Sequence, residues 1–176
     1  MRRVGLCLAL GAAALLLQAT LLAYLPFGVL KPDLVLLFLL YLAVRADPVE
    51  GGAVAFALGY GMDLLSGSMF GTFTVTRVGI FYAAHLAAGR VYLTAGAMPA
   101  VAAALFTLAE ALAVRFLFWM LGLTAEGLEH GLLRYLLPQA LLMAILAPFA
   151  FRYLARLDPW LWPRGFGDDR RPVPLR

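Results

Sequence analysis

Charged residues interrupt two long apolar stretches of this chain, and this pattern restricts what the chain can fold into. Arg77 interrupts the stretch that ends near Ala88, and Glu110 and Arg115 lie inside the stretch 97–123. A soluble protein would carry such residues on a polar surface, but 64% of this chain is hydrophobic and only 14% is charged. We therefore predict a polytopic membrane protein, in which a charge at membrane depth usually faces a partner, a cavity or another subunit.

The length of the chain limits the function classes that are possible. Its 176 residues suffice for about six membrane spans of roughly 20 residues each, which leaves almost nothing for a soluble catalytic module. The net charge of +4 does not indicate nucleic-acid binding, because the basic residues form no stripe on a soluble face. Cys7 is the only cysteine, which excludes a disulfide within the chain and a metal site built from cysteines.

The pattern of apolar runs and breaks predicts an all-α membrane protein with about six transmembrane helices. The predicted helices cover residues 4–25, 34–44, 48–65, 70–88, 97–123 and 131–151. The first is expected to be an uncleaved span, because its apolar run is longer than that of a secretory signal. Asp33 is placed to cap the second helix, and Asp47 and Pro48 begin the third. Helices two and three are short for a hydrocarbon core of about 30 Å and are expected to form a packed hairpin.

The distribution of arginines predicts the orientation. With six spans and a cytoplasmic N-terminus, ten arginines lie inside, whereas only Lys31 and Arg134 lie outside. Both termini are therefore expected in the cytoplasm. Residues 1–151 form the transmembrane domain, and residues 152–176 are expected to be an interfacial and disordered tail, since arginines alternate there with aromatic residues before a run rich in charge and proline.

The segment 59–71 has the most specific pattern in the chain. Gly59 and Asp63 lie one turn apart, and a stripe of small residues before them permits close helix packing in lipid. Asp63 has two interpretations. It either caps the turn that follows helix three, or it pairs with an arginine of a neighbouring helix, Arg77 or Arg115.

Glu110 has three interpretations, and the sequence alone does not decide between them. It is a protonated or internally paired carboxyl that fixes the bundle, a member of a proton or substrate relay, or a contact to a partner's transmembrane helix. The chain has none of the common hydrolase, zinc-protease or phosphate-binding motifs, and its two histidines are far apart. We therefore predict that the protein is not an enzyme and uses no cofactor or metal.

Two motifs carry a resemblance to a known family. Pro32 and Asp33 open the second helix, and Gly59, Asp63, Gly67 and Gly71 follow at four-residue intervals. Together, in a chain of this length, they resemble the MreD family of rod shape-determining membrane proteins. The likeness covers helices one to six and excludes the tail.

The resemblance implies a non-enzymatic scaffold in the bacterial inner membrane that regulates cell shape. Such a protein would hold MreC and, through it, work with MreB, RodA and a penicillin-binding transpeptidase in peptidoglycan synthesis by the elongasome, surrounded by membrane lipids. The family fold is also similar to the substrate-binding subunits of energy-coupling-factor transporters. The alternative function is therefore a solute-binding membrane subunit of a vitamin transporter, with Arg77, Glu110 and Arg115 as polar groups of its site.

Overall fold

The protein is a bundle of α-helices. The computed structural model describes residues 2–24, 32–67, 71–89, 96–122 and 132–161, and these ranges contain no strand. Their helices are α1 (Arg2–Tyr24), α2 (Leu34–Arg45), α3 (Pro48–Ser66), α4 (Thr72–Ala88), α5 (Met98–Met120) and α6 (Leu132–Leu161). The all-helical prediction is confirmed, and the predicted helix limits agree within about three residues except at the end of α6. The six-span membrane count stays a prediction.

Helix α2 is the central element of the bundle. Every residue from Val35 to Ala43 is buried, and α2 contacts each of the other five helices. A helix that is apolar on all sides is expected inside a fold, because it has no face suited to water. Its 12 residues rise only about 18 Å, roughly half of a bilayer's thickness including its headgroups.

The start of α2 lies deep enough in the bundle to need internal hydrogen-bond partners. The Asp33 side chain accepts a hydrogen bond from the Leu36 N–H at 2.8 Å, which confirms the predicted N-cap. The side-chain oxygen of Gln18 on α1 accepts from the N–H groups of Leu34 and Val35 at 3.0 and 3.4 Å. The first free N–H groups of a helix are costly in an apolar interior, so this cap fixes where the helix begins.

Small residues bring α3 and α4 into close contact. A Cβ atom added to Gly59 would lie 2.7 Å from the Cα atom of Thr74, and one added to Gly51 would lie 2.2 Å from the Phe81 ring. The stripe of small residues seen in the sequence is therefore packed against α4 of the same chain. It leaves no room there for a partner helix.

Three of the helices are long and apolar enough to cross a membrane. The qualifying segments are Arg3–Thr20, Met98–Met120 and Leu136–Pro159. Helix α6 does not end near residue 151, as the sequence predicted, but continues for ten residues to Leu161. The helix continues because one side of it still packs against the bundle there: Phe151 is buried, and Leu154 packs against the core. Residues 162–176 of the predicted tail lie outside the described residues.

Candidate functional site

A buried group of three charged side chains lies where α2, α4 and α5 meet. The Nη2 atom of Arg77 donates a hydrogen bond to the carboxylate of Asp33 and lies 2.9 Å from Oε1 of Glu110. Arg77 is completely buried, and the side chains of Asp33 and Glu110 are only 14% and 12% exposed. We call these three residues the ion cluster. One guanidinium group holds together three helices.

The three residues meet because their helices place them at the same height. Asp33 lies about 12 residues before the end of α2, and Arg77 about 11 before the end of α4. Glu110 lies about 12 residues after the start of α5, which runs the other way. At about 1.5 Å per residue, all three lie about 17 Å from the same end of the bundle.

The ion cluster carries two carboxylates and one guanidinium. A single buried charge is strongly disfavoured. The guanidinium of Arg77 contacts both carboxylates, but its one positive charge balances only one of them. Arg77 Nε and Nη1 have no hydrogen-bond acceptor among the described residues, so its bonding is concentrated on Nη2. This arrangement can hold α2, α4 and α5 in fixed positions relative to one another. Within the described residues there is no group of three His, Cys, Asp or Glu side chains that could hold a metal ion.

Asp63 has a different role, at the turn between α3 and α4. Its carboxylate accepts hydrogen bonds from the backbone N–H groups of Gly71, Phe73 and Thr74 at 3.0, 2.9 and 3.0 Å. It also accepts the hydroxyl proton of Thr74 at 2.5 Å. These are the free N–H groups at the start of α4, which a carboxylate satisfies well. Of its two interpretations from sequence, these contacts match the one that caps the turn.

The glycines around Asp63 permit this turn. Gly67 ends α3 with φ 61° and Gly71 precedes α4 with φ 98°, a left-handed region that side chains with a Cβ rarely adopt. Gly59 provides the close approach of α3 to α4 described above. Gly59, Asp63, Gly67 and Gly71 therefore all contribute to the connection between α3 and α4, and none of them belongs to the ion cluster.

The other residues singled out from the sequence lie near these two features. Pro32 is partly buried and directly precedes Asp33, where it leads the chain into α2. Arg115 is partly buried on α5, a turn and a half beyond Glu110. The structure thus brings together Asp33, Arg77 and Glu110, a set that the sequence had not grouped.

A second polar group links α2 to the far end of α6. The Tyr41 hydroxyl donates to Asp158 at 2.5 Å, and Arg45 Nη2 lies 2.6 Å from the other carboxylate oxygen of Asp158. We call Tyr41, Arg45 and Asp158 the Arg45 cluster. His85 Nδ1 lies 2.8 Å from the Ala43 carbonyl oxygen, which ties α4 to the same end of α2.

Comparison with known proteins decides the family. The family model described as rod shape-determining protein MreD matches residues 2–157. This chain belongs to the MreD family. No curated protein and no solved structure matches it. The match includes the ion cluster and the α3–α4 turn and ends one residue before Asp158. Membership of the MreD family gives this chain a role in determining rod shape, and with its long apolar helices it identifies a membrane protein.

Sequence reasoning missed two residues that the structure shows to be important in this MreD family member. Gln18 caps α2 from α1, and Asp158 ties α6 to α2. Gln18 had a usable signal, because an amide within an apolar helix requires a hydrogen-bond partner. Asp158 had none that stood out, since it lies among arginines in a segment interpreted as a tail.

Proposed function

We propose that this chain is a non-enzymatic scaffold of the bacterial inner membrane that holds MreC within the cell-elongation complex. Through MreC it works with MreB, RodA and a penicillin-binding transpeptidase to support peptidoglycan synthesis. It crosses the membrane six times, with both termini in the cytoplasm. Membership of the MreD family supports this proposal, because the family is defined by rod shape determination. The excess of arginines at one set of helix ends supports the orientation.

The single observation that carries the scaffold role is how the intramembrane charges are used. Arg77 is completely buried and bonded to both Asp33 and Glu110, and Asp63 is bonded to the start of α4. A relay or a substrate site needs charged groups that reach water or a ligand. Here the charged groups are bonded to one another, which favours a rigid body that presents surfaces to other proteins.

The same observation speaks against the vitamin-transporter alternative. Arg77 and Glu110, two of its three expected ligand groups, are bonded to each other. A cavity between α1, α2 and α3, lined by Cys7 and Val54 among others, has a volume of about 10 Å³. That is room for about one water molecule, and none of the three expected ligand groups lines it.

A partner helix would therefore contact the outer, apolar surface of the bundle. Exposed apolar side chains occur on several helices, for example Val75 and Leu86 on α4 and Phe116 on α5. Helices associate in lipid by close van der Waals packing, which a large side chain at the contact prevents. Gly79 lies on the exposed side of α4, and a Cβ atom added there meets nothing within 4 Å. A leucine at this position therefore adds bulk to the outer surface without disturbing the fold.

The test is co-purification of MreC with this protein from membranes in mild detergent. The wild type is compared with Gly79→Leu and with Gly5→Leu, a matched control on α1 where an added Cβ also meets nothing within 4 Å. We expect the wild type and Gly5→Leu to recover MreC and Gly79→Leu to recover several-fold less. Neither variant should unfold at a lower temperature than the wild type, because leucine favours a helix more than glycine does.

One result would overturn the scaffold role, and a second would overturn only the placement of the contact on α4. If the wild type recovers no more MreC than an unrelated six-span protein does, the chain is not the MreC scaffold. If all three proteins recover MreC equally, the partner does not pack on α4, and the contact belongs to another exposed face of the bundle.

A further inference from the structure

The last part of α6 carries two arginines on the side that faces away from the bundle. Arg152 and Arg156 lie one turn apart, and both are exposed, as is Tyr153 beside them. Earlier in the helix the same side is apolar, with Leu141 and Ile145 exposed at 63% and 55%. The outer face of α6 therefore changes from aliphatic to aromatic and cationic near residue 152.

This change occurs at the depth where a membrane would end. Helix α6 has 30 residues and is about 45 Å long, which exceeds a hydrocarbon core of about 30 Å. A core of that thickness is crossed by about 20 residues. Counted from Leu136, where the apolar segment of α6 begins, the boundary falls at about Arg156, and the long side chain of Arg152 one turn earlier reaches it. The two guanidinium groups and the Tyr153 ring therefore lie in the headgroup layer, where aromatic and cationic side chains are enriched.

The two arginines are not neutralised by acidic side chains in the described part of the chain. The ion pairs there involve Arg45 and Arg77 and neither Arg152 nor Arg156. Asp158, the acid closest to them in sequence, points to the other side of α6 and bonds to Arg45 and Tyr41. These bonds also fix the rotation of the helix end, so that both arginines face outward.

We propose that this face of α6 binds the phosphate of an acidic phospholipid in the surrounding bilayer. Two guanidinium groups one turn apart offer several N–H donors to one anionic headgroup, and arginine pairs with phosphate through two parallel hydrogen bonds. Tyr153 follows Arg152 directly and lies at the same boundary between headgroups and acyl chains, where tyrosine is enriched. This inference rests on the placement of the helices in a membrane and is independent of any protein partner.

The test is native mass spectrometry of the purified full chain, titrated with phosphatidylglycerol or with phosphatidylcholine. An arginine near an anionic surface contributes roughly fivefold to binding, so replacing both should weaken phosphatidylglycerol binding about 30-fold. The variant is Arg152→Gln with Arg156→Gln. Arg3→Gln, which removes an exposed arginine from α1, is the matched control and should change binding little.

Three outcomes support or overturn the proposed lipid site. Selective loss of phosphatidylglycerol binding in the double glutamine variant, with a smaller loss when both residues are changed to lysine, supports the site. If Arg3→Gln weakens binding as much as the double variant does, the effect comes from overall charge, and the proposal is overturned. It is also overturned if the double variant binds phosphatidylglycerol normally but recovers less MreC, because the arginines would then contact an acidic protein segment.

Discussion

Arg77 on α4 lies 2.9 Å from the carboxylate of Glu110 on α5, and the same guanidinium nitrogen donates to Asp33 at the start of α2. One side chain thus joins three helices near the middle of the bundle. Arg77 is completely buried, so no water replaces a lost hydrogen bond there and these contacts have no substitute. The ion cluster therefore sets how α2, α4 and α5 are positioned relative to one another.

Replacing the shared arginine should destabilise the protein strongly. Arg77→Met leaves two buried carboxylates without a cation, and breaking a buried ion pair typically costs about 3–5 kcal/mol. The free energy of unfolding, measured by denaturant titration in mixed micelles, should fall by about that amount. Arg3→Gln, at an exposed arginine of α1, is the control and should change it by less than about 0.5 kcal/mol. Equal effects of the two substitutions would contradict the assigned role of Arg77.

The turn between α3 and α4 should depend on the Asp63 carboxylate in a graded way. Asp63→Ala removes the acceptor for three backbone N–H groups and one hydroxyl, and we expect a loss of about 3 kcal/mol. Asp63→Asn keeps one oxygen acceptor and should lose about half as much. Thermal unfolding of the two variants, each compared with the wild type, shows which of them loses more stability. Equal losses for both would show that the hydrogen bonds to α4 do not determine stability.

Two glycines should respond to the same substitution with opposite sign. An alanine at Gly59 would bring its Cβ atom within 2.7 Å of the Thr74 backbone, which must then shift, at a cost of about 1–3 kcal/mol. An alanine at Gly79 meets nothing within 4 Å and gains helix propensity of roughly 0.5–1 kcal/mol. Unfolding of Gly59→Ala and Gly79→Ala under identical conditions tests both. If Gly59→Ala is as stable as the wild type, α3 and α4 do not approach each other as closely at Gly59 as described here.

The end of α6 should loosen when its bond to α2 is removed. Asp158→Ala breaks the ion pair with Arg45 and the hydrogen bond from Tyr41, and these partly exposed bonds together contribute about 1.4 kcal/mol. Hydrogen exchange of amides 150–161 should therefore become about tenfold faster. Amides 136–146 serve as the internal control and should not change. Unchanged exchange at 150–161 would show that the Arg45 cluster does not hold the helix end.

Much of the helical architecture was predictable from the sequence, because breaks in the apolar pattern coincide with caps. Asp33 and Pro48 marked the starts of α2 and α3, and the structure places those starts where they were predicted. The end of α6 was missed for a physical reason. The arginines after Phe151 were interpreted as a sign that the helix had ended. The first two lie instead on its exposed side, and the helix continues to Leu161.

The ion cluster was not predicted as a group, although its members were singled out. Arg77 lies five residues after the start of α4 and Arg115 five residues before the end of α5, so distances from these two helix ends place Arg77 level with Arg115. Helices differ in where their outer ends lie, so such counts do not compare depths between helices. Counted from the opposite ends, Asp33, Arg77 and Glu110 coincide within about one residue. The positions of these residues within their helices were therefore known from the sequence. Which ends of the helices lie level with one another is known only from the packing.

The most direct test of a structural role for the intramembrane charges removes all three of them together. Replacing a complete buried ion group by neutral residues is often tolerated, whereas removing one member is not. The triple variant Asp33→Asn, Arg77→Met, Glu110→Gln retains the α2 cap, because asparagine is also a good N-cap residue. Its free energy of unfolding is compared with that of Arg77→Met, and both variants are expressed in cells that lack the native protein. We expect the triple variant to recover at least half of the lost stability and to restore rod-shaped cells, whereas Arg77→Met does neither. A triple variant that is less stable than Arg77→Met, or one that is stable but leaves the cells round, would contradict the account.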